Sequence, residues 1–521
     1  MLARVCRNVQ ECCETQRRWI ATCECFGTSC SESCTRRPEH SPRRVPPTRT
    51  VETMNISDEF INRIYESATA PLTQEVEEEA RRCLLDFTGA CVGGSSVLGE
   101  KAEQFLAGTA PSEGATVINR GKRTSLENAA LLNGMMAHVF DIDDGNRLTS
   151  IHLGAPVISA ILALAEWNDL TIGDVLRGIA VGYEAANRLG KCIQPFHRKR
   201  GFHASGTCGT IGAALGAAAA MHYTKEEMKT VLSAACTAAA GILQMQEDSS
   251  TLKPFNIGRA AHDAVTCVLM AKAGFVGPED PLMGKFGFVK AVADNFDLSY
   301  LTAPLAGRNG AEDAEIAEGA VKELPENLTV LGSYHKIHAS CRHTHGAVDA
   351  ARAIMAEHPE KKPSDIKGIT IRMYEQGVKG HDHTEVASPV SGKMSIPFAT
   401  ALAIVKGSVG FTSFTDENIF DSEVQRICRA SKVIVDDALT AQAPGIREAI
   451  VTIDFGSETA EKSVKFPKGE PEYPLTAEDI RAKFADLATC GGFSDDKIRM
   501  VADFVLTCPI DSSVRNLIAI L

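Results

Sequence analysis

The residues able to do chemistry in this chain collect at element boundaries. His152 sits in a loop, and His203 stands at the mouth of the run HASGTCGTIGAALGAAAAM (203–221). Lys253 lies in the stretch QEDSSTLKPFNI (246–257), and Asp141, Asp143 and Asp144 close the apolar run ENAALLNGMMAHVFDIDD. A denser group, Tyr334 to His345, contains Lys336, His338, Cys341, Arg342, His343 and His345. Imidazole takes and gives protons near neutral pH, while lysine and arginine clamp carboxylates. A single histidine is more often structural than catalytic, but three such boundary points together predict acid–base chemistry on a small anion. A metal centre could draw on His335, His338, Cys341, His343, His345, His381 and His383, yet the interleaved Lys336 and Arg342 would repel a cation. No metal is therefore expected.

Other site types lack their signatures. Gly121-Lys122-Arg123 has neither the preceding spacing nor the following hydroxyl of a phosphate loop, and Gly206, Gly209 and Gly212 do not form G-x-G-x-x-G. The G-x-S-x-G elbow of a serine hydrolase is also missing.

Positioning these groups falls mainly to helices. Apolar residues recur at spacings of three and four over 58–67 and 72–91, the second run being expected to stop at Gly93-Gly94. Further helices are predicted from near Ser125, over Gly154–Trp167 and Ile172–Leu189, from His203, and over 225–244 and 258–273. The small side chains after His203 let neighbouring helices approach closely, so that helix should be central and buried. From about 330 the period changes: GITIRMY (368–374) and IVTIDF (450–455) alternate as strands. SIPFATALAIVKG and EVQRICRASKVIV between them read as helices, and 474–488 returns to helix. The fold class is mainly α with a smaller α+β domain. The expected organisation is a Cys-, Arg- and Pro-rich disordered tail over 1–53, a helical domain over 54–329, an α+β lid over 330–458, and a segment over 459–521 packing back on the helices.

The 521 residues carry a net charge of −12. Residues 1–53 hold nine Arg against six Glu, about +3, so the remainder carries about −15 and nucleic acid is not an expected partner. The apolar run of a membrane span and that of a signal peptide are both absent from the sequence, which is read as cytoplasmic. Of 17 cysteines, seven precede residue 35 and the rest show no C-x-x-C pair, so no iron–sulfur or zinc-ribbon spacing marks the body.

In this order, NGMMAHVFDIDD (133–144), the His152-Leu-Gly-Ala-Pro-Val segment, GFHASGTCGTIGAALGAA (201–218), LKPFNIGRAAHDAV (252–265), Cys341-Arg342-His343-Thr344-His345 and SGKMSIPFATALA (391–403) resemble the MmgE/PrpD family over about 54–521. That family includes 2-methylcitrate dehydratase, cis-aconitate decarboxylase and iminodisuccinate epimerase. The resemblance implies a helical domain with an α/β lid, a homodimer, and a cofactor-free site between domains. It places Asp141, His152, His203, Lys253 and Lys336 in that site. Gly145 replaces the family's hydroxyl residue, Leu153 replaces a proline, and Glu375-Gln376-Gly377-Val378 lacks the decarboxylase's tyrosine. The expected function is a lyase on a small di- or tricarboxylate, 2-methylcitrate dehydratase-like first, with decarboxylase, epimerase or a non-catalytic scaffold as alternatives. His152, His203 and Asp141 would be catalytic, and Lys253, Lys336, Arg342 and His343 would bind substrate carboxylates.

Overall fold

Capping side chains start most of the described helices. The computed structural model describes residues 55–246, 250–303 and 329–521, so the predicted tail and the helical domain's expected end near 325 lie outside the described residues. The longer helices of the first part are α1 (Ile56–Thr69), α2 (Gln74–Ala107), α3 (Leu126–His138), α4 (Gly154–Asn168), α5 (Ile172–Ile193), α6 (Ala204–Ala220), α7 (Lys225–Ala238) and α8 (Lys253–Lys272). Asn55, Thr73, Ser125, Thr171 and Thr224 each accept a backbone N–H of the first turn that follows them, satisfying donors that a helix end leaves open. A short antiparallel ribbon, β1 (Ala115–Val117) with β2 (Lys122–Thr124), packs beside α3 and α4.

Every residue of α6 is buried. Its glycines meet those of α5: a Cβ on Gly212 would stand 2.5 Å from the Gly182 carbonyl oxygen, and one on Gly216 2.5 Å from that of Gly178. The reverse additions fail similarly, Gly178 meeting the Gly216 oxygen at 2.8 Å and Gly182 the Gly212 oxygen at 2.9 Å. At these glycines backbone rests on backbone, with only the Ala186 and Ala220 methyls of the two helices beside the contact. Its first residue follows His203.

The second part carries a four-stranded sheet in the order β4-β3-β5-β6, with β3 (Gly368–Met373), β4 (Ser431–Val435), β5 (Ala449–Asp454) and β6 (Thr459–Val464). β3 runs parallel to β4 and antiparallel to β5, so Ile371 pairs with both Val433 and Val451. Alternate residues of β3 and β5 are buried, and α9 (His345–Glu357) packs on β5 and β6. α10 (Ile396–Lys406) lies against α9 and against α11 (Ser422–Arg429), while α12 (Ala477–Cys490) packs against α2.

Five predicted boundaries are corrected. α2 passes straight through Gly93-Gly94, because these glycines are contact points: a Cβ on Gly94 would lie 1.9 Å from the Met136 carbonyl oxygen, and one on Gly93 3.0 Å from that of Leu487. SKVIV is strand β4 rather than the end of a helix, and the sheet runs on past residue 458 into β6. Both are edge strands with weak apolar alternation, so period alone does not reveal them. Finally, α7 ends at Ala238, and α8 starts five residues before the predicted 258, making Lys253 the first residue of a helix.

Gly212→Ala forces the α5–α6 contact apart and should lower stability by about 1–3 kcal/mol. Gly209→Ala, whose Cβ would meet only the Pro156 ring at 3.3 Å, should cost less. Urea unfolding midpoints compare the two; equal losses would mean that the glycine contact does not set the spacing.

Candidate active site

Asp141 is the hub. It follows α3 in the left-handed region, φ 57°, with its N–H bonded to the His138 carbonyl, a conformation that Asp adopts more readily than most residues. This turn aims the carboxylate at two lysines from distant parts of the chain. Lys253 Nζ donates to Oδ2 at 2.6 Å, and Lys336 Nζ donates to Oδ1 at 2.7 Å and to the Asp141 carbonyl at 2.8 Å. Lys336 is fully buried. Burial alone would raise the Asp141 carboxyl, but the charges of Lys253 and Lys336 overcome it and hold the group well below the usual carboxylate range. Lys253 in turn is penalised by burial yet raised by Asp141.

His152 enters from the loop before α4. Its ring Nδ1 lies 3.0 Å from the Asp144 carbonyl oxygen and must donate there, which leaves Nε2 as the acceptor of the neutral ring, 3.6 Å from Asp141 Oδ1. Its backbone N–H donates to Ser205 Oγ at 2.9 Å, fastening this loop to the first turn of α6. Beneath it, His138 Nδ1 bonds Asp143 at 2.9 Å, and the His138 and His152 rings meet edge-on with centroids 4.8 Å apart. Asp144 accepts from the Gly154 N–H at 2.7 Å and from the Tyr183 hydroxyl at 2.5 Å.

His203 has the opposite polarity. The Asn256 amide N–H₂ lies 3.2 Å from His203 Nδ1 and also donates to the Ile242 carbonyl at 3.2 Å, which fixes the amide's orientation. Nδ1 is thus an acceptor, and the proton of the neutral ring sits on Nε2. Burial holds His203 well below its ordinary value, reinforced by the charge of Lys253, so the ring is neutral at pH 7. The His203 N–H donates to the Gly241 carbonyl at 3.0 Å.

The structure thus joins Asp141, His152, Lys253 and Lys336 by direct contact and places His203 within their electrostatic reach. Arg342 is committed elsewhere: its guanidinium bonds Glu470 at 2.9 and 3.0 Å and His345 Nδ1 at 2.8 Å, stacked over the Tyr334 ring. His343 Nδ1 meets the Tyr374 hydroxyl at 2.5 Å, and burial holds this imidazole well below its ordinary value. A tyrosine does therefore follow the first strand of the sheet, one residue before the stretch 375–378. At Gly145, where a hydroxyl residue would be expected, a Cβ would stand 2.5 Å from the Tyr334 hydroxyl, so Tyr334 fills that space.

Sequence reasoning missed several supporting groups. Ser205 and Asn256 lie inside motifs already singled out, but as small or neutral polar residues they carried no signal of their own. Lys393, within SGKMSIPFATALA, donates to the Phe140 carbonyl at 3.3 Å; burial, against the pull of Asp141, brings it down to about 8. For a metal, His138, Asp141, Asp143 and His152 could reach one ion, as could Glu79, Cys83 and His335. The first set would place the ion beside the Lys253 and Lys336 ammonium groups. In the second, Asp86, Cys83 and Glu79 beside the ring raise His335 well above its ordinary value despite burial, and the ring, bonded to Glu79 at 2.7 Å, already fills a cation's role. Neither donor set suits a cation. A cleft of about 420 Å³ opens nearby, lined by Ser150, Lys191, Arg198 and Tyr374 among others, beside the Asp141 cluster rather than on it.

Residues 59–301 match the MmgE/PrpD N-terminal domain, and residues 338–505 match the MmgE/PrpD C-terminal domain. The chain belongs to the MmgE/PrpD family. Among curated relatives, a cis-aconitate decarboxylase-like protein of Aspergillus oryzae is 24% identical over 486 residues, covering 90% of this chain and 97% of the relative. A cis-aconitate decarboxylase of Aspergillus terreus is 25% identical over 462 residues, covering 84% and 90% respectively. This MmgE/PrpD protein contains no described helix long and apolar enough to cross a membrane.

Asp141→Asn leaves the buried Lys336 ammonium and the half-buried Lys253 ammonium without their counter-charge and should destabilise the protein by about 3–5 kcal/mol at pH 7. Because the folded carboxyl titrates below its unfolded value of 3.8, the Asp141 contribution is full above that value and disappears as pH falls through the folded pKa. Urea titrations of both proteins at pH 7 and near pH 3 should show the gap narrowing; a constant gap would contradict the ion-pair account.

Proposed function

We propose that this chain is a lyase acting on a small di- or tricarboxylate, using its own side chains for acid–base chemistry. The carrying observation is the opposed polarity of the two histidines around a lysine pair that shares one carboxylate: with Nδ1 turned to the Asp144 carbonyl, the neutral form of His152 has Nε2 as its acceptor, and His203 offers an Nε2–H. Each ammonium has three donors; Lys253 spends one on Asp141 and Lys336 two, leaving donors for substrate carboxylates. Loss of a proton or of CO₂ next to a carboxylate leaves an electron pair that spreads onto carboxylate oxygen. Lysine charge and a neutral imidazole N–H stabilise that oxygen, and an imidazole held neutral avoids giving its proton away before reaction. His152 then accepts or returns the carbon-bound proton.

Decarboxylation of cis-aconitate is the first reaction assigned to this site, because relatives sharing most of the chain's length bear that name. Dehydration of 2-methylcitrate, which the sequence placed first, is the second reading. It is favoured by the Gly145–Tyr334 contact, which removes the hydroxyl residue expected at that wall. The reading includes a homodimer and no bound cofactor.

Incubation with cis-aconitate, 2-methylcitrate or iminodisuccinate in D₂O, followed by NMR, separates the reactions: CO₂ loss, dehydration, and deuterium exchange at a retained carbon each give different spectra. His203→Ala should lower kcat on the accepted substrate at least ~100-fold. Full activity in that variant would remove His203 from the chemistry, and silence of the wild-type protein on all three acids would remove the lyase reading.

A further inference from the structure

The Asp141 cluster has a second acid–base group at its edge that none of the roles above uses. Cys341 Sγ lies 3.3 Å from His381 Nε2. His381 Nδ1 is 2.9 Å from the Lys379 carbonyl and donates to it, so the ring is fixed with Nε2 toward the sulfur. This is the arrangement that activates a thiol: a histidine beside the sulfur, oriented by a third group. The His343 ring packs on His381 with centroids 5.0 Å apart and is itself kept neutral by burial, so it does not oppose a positive His381.

The pair is tied to the site through both backbone and charge. Lys336, which grips Asp141, lies five residues before Cys341 in the chain. The Cys341 N–H donates to the Lys393 carbonyl at 2.9 Å, and Lys393 reaches the Phe140 carbonyl, immediately before Asp141. His381 contacts the sulfur, and Asp141, Lys336, Lys253, Arg198 and Tyr374 act on it electrostatically. Burial would raise the thiol, but the charge and hydrogen bond of His381 bring it down to about 6. Seven other described thiols (Cys83, Cys91, Cys192, Cys208, Cys236, Cys267 and Cys428) are all pushed up by burial. Structural cysteines behave like those seven; Cys341 does not.

We propose that Cys341 and His381 form a thiol–imidazole couple that exchanges a proton with the carbon next to a substrate carboxylate, making Cys341 a catalytic residue of this site. The proposal rests on the lyase reading. The couple holds one proton, on nitrogen as the thiolate–imidazolium pair or on sulfur as the neutral pair. When a carbanionic carbon is to be protonated, its electron pair forms the C–H bond, the S–H bond breaks, and sulfur keeps its pair as thiolate beside neutral His381. Water then protonates His381, leaving hydroxide in solvent and restoring the thiolate–imidazolium pair. In the opposite direction the thiolate takes the carbon-bound proton and the carbon keeps the pair.

The test uses iodoacetamide on the full chain, with peptide mass spectrometry reading alkylation at Cys341 separately from the other thiols. Wild-type protein should show an alkylation limb near pH 6, and His381→Gln should move it upward by at least about one pH unit. Tricarballylate, a saturated tricarboxylate, should slow alkylation of Cys341. On the accepted substrate, Cys341→Ala should lower kcat ~100-fold with KM changed less than about threefold. A wild-type limb above pH 8, a limb unmoved by His381→Gln, no protection by tricarballylate, or a Cys341→Ala kcat within twofold of wild type would each overturn the proposal. If the wild-type protein acts on none of the carboxylic acids, the lyase reading falls by itself, while the alkylation limb and its protection still decide whether a reactive couple faces an anion site.

Discussion

One buried carboxylate holds the two parts of this chain in register. Asp141 is gripped by Lys253 at the start of α8 and by Lys336, 83 residues further along and on the other side of the segment 304–328. Charges out of water are costly, and these three are tolerable only because each satisfies another with short, direct hydrogen bonds. The helical part and the sheet-bearing part therefore meet at a point where neither can shift without exposing an unpaired charge. A second buried network repeats the device: Lys483 of α12 pairs with Asp86 of α2 and donates to the Ile142 carbonyl, and His335 bridges toward Glu79. Residues 335 and 336, adjacent in sequence, thus enter separate charge clusters on the two sides of the 140–145 turn.

Around that hub, precision comes from the absence of side chains. The glycine contact between α5 and α6 leaves no rotamer to adjust, so the first turn of α6 has a fixed place, and Ser205 and His203 have fixed places with it. Ser205 carries that fix to His152 through one hydrogen bond, and Asn256 carries the fix of α8 to His203. Both site histidines are positioned through neutral hydrogen-bonding residues on rigid helices, so their tautomers are set by partners rather than by solvent.

Much of this was legible in the sequence, and the misses share a cause. The small-residue run predicted a buried central helix, and the boundary histidines and lysines predicted a polar centre, because glycine content and charge placement are read directly from residue type. Gly93-Gly94 misled because glycine at a helix stop and glycine at a helix crossing are the same letters; only the Met136 carbonyl at 1.9 Å from a would-be Cβ distinguishes them. β4 and β6 were invisible because an edge strand buries too little on either face to alternate clearly. Arg342 looked like a carboxylate clamp and does clamp one, but that carboxylate is Glu470 of this chain. Spacing in sequence cannot say whether an arginine's partner arrives by folding or by diffusion.

Gly145 is bridged to Tyr334 by two backbone hydrogen bonds, and the phenol occupies the volume that any Cβ at 145 would need. A hydroxyl side chain at 145 and a tyrosine at 334 in this position exclude each other on steric grounds, so the loss of one is coupled to the presence of the other. Tyr334 is in turn held by Arg342 over its ring, and Arg342 by Glu470, which also pairs with Arg147 two residues beyond Gly145. The wall beside Asp141 is therefore built by a closed set of interactions running 145–334–342–470–147, all buried. Its shape is a property of that set rather than of one substituted position, and a single Gly145→Thr replacement would collide with Tyr334 before it could supply a hydroxyl to a substrate.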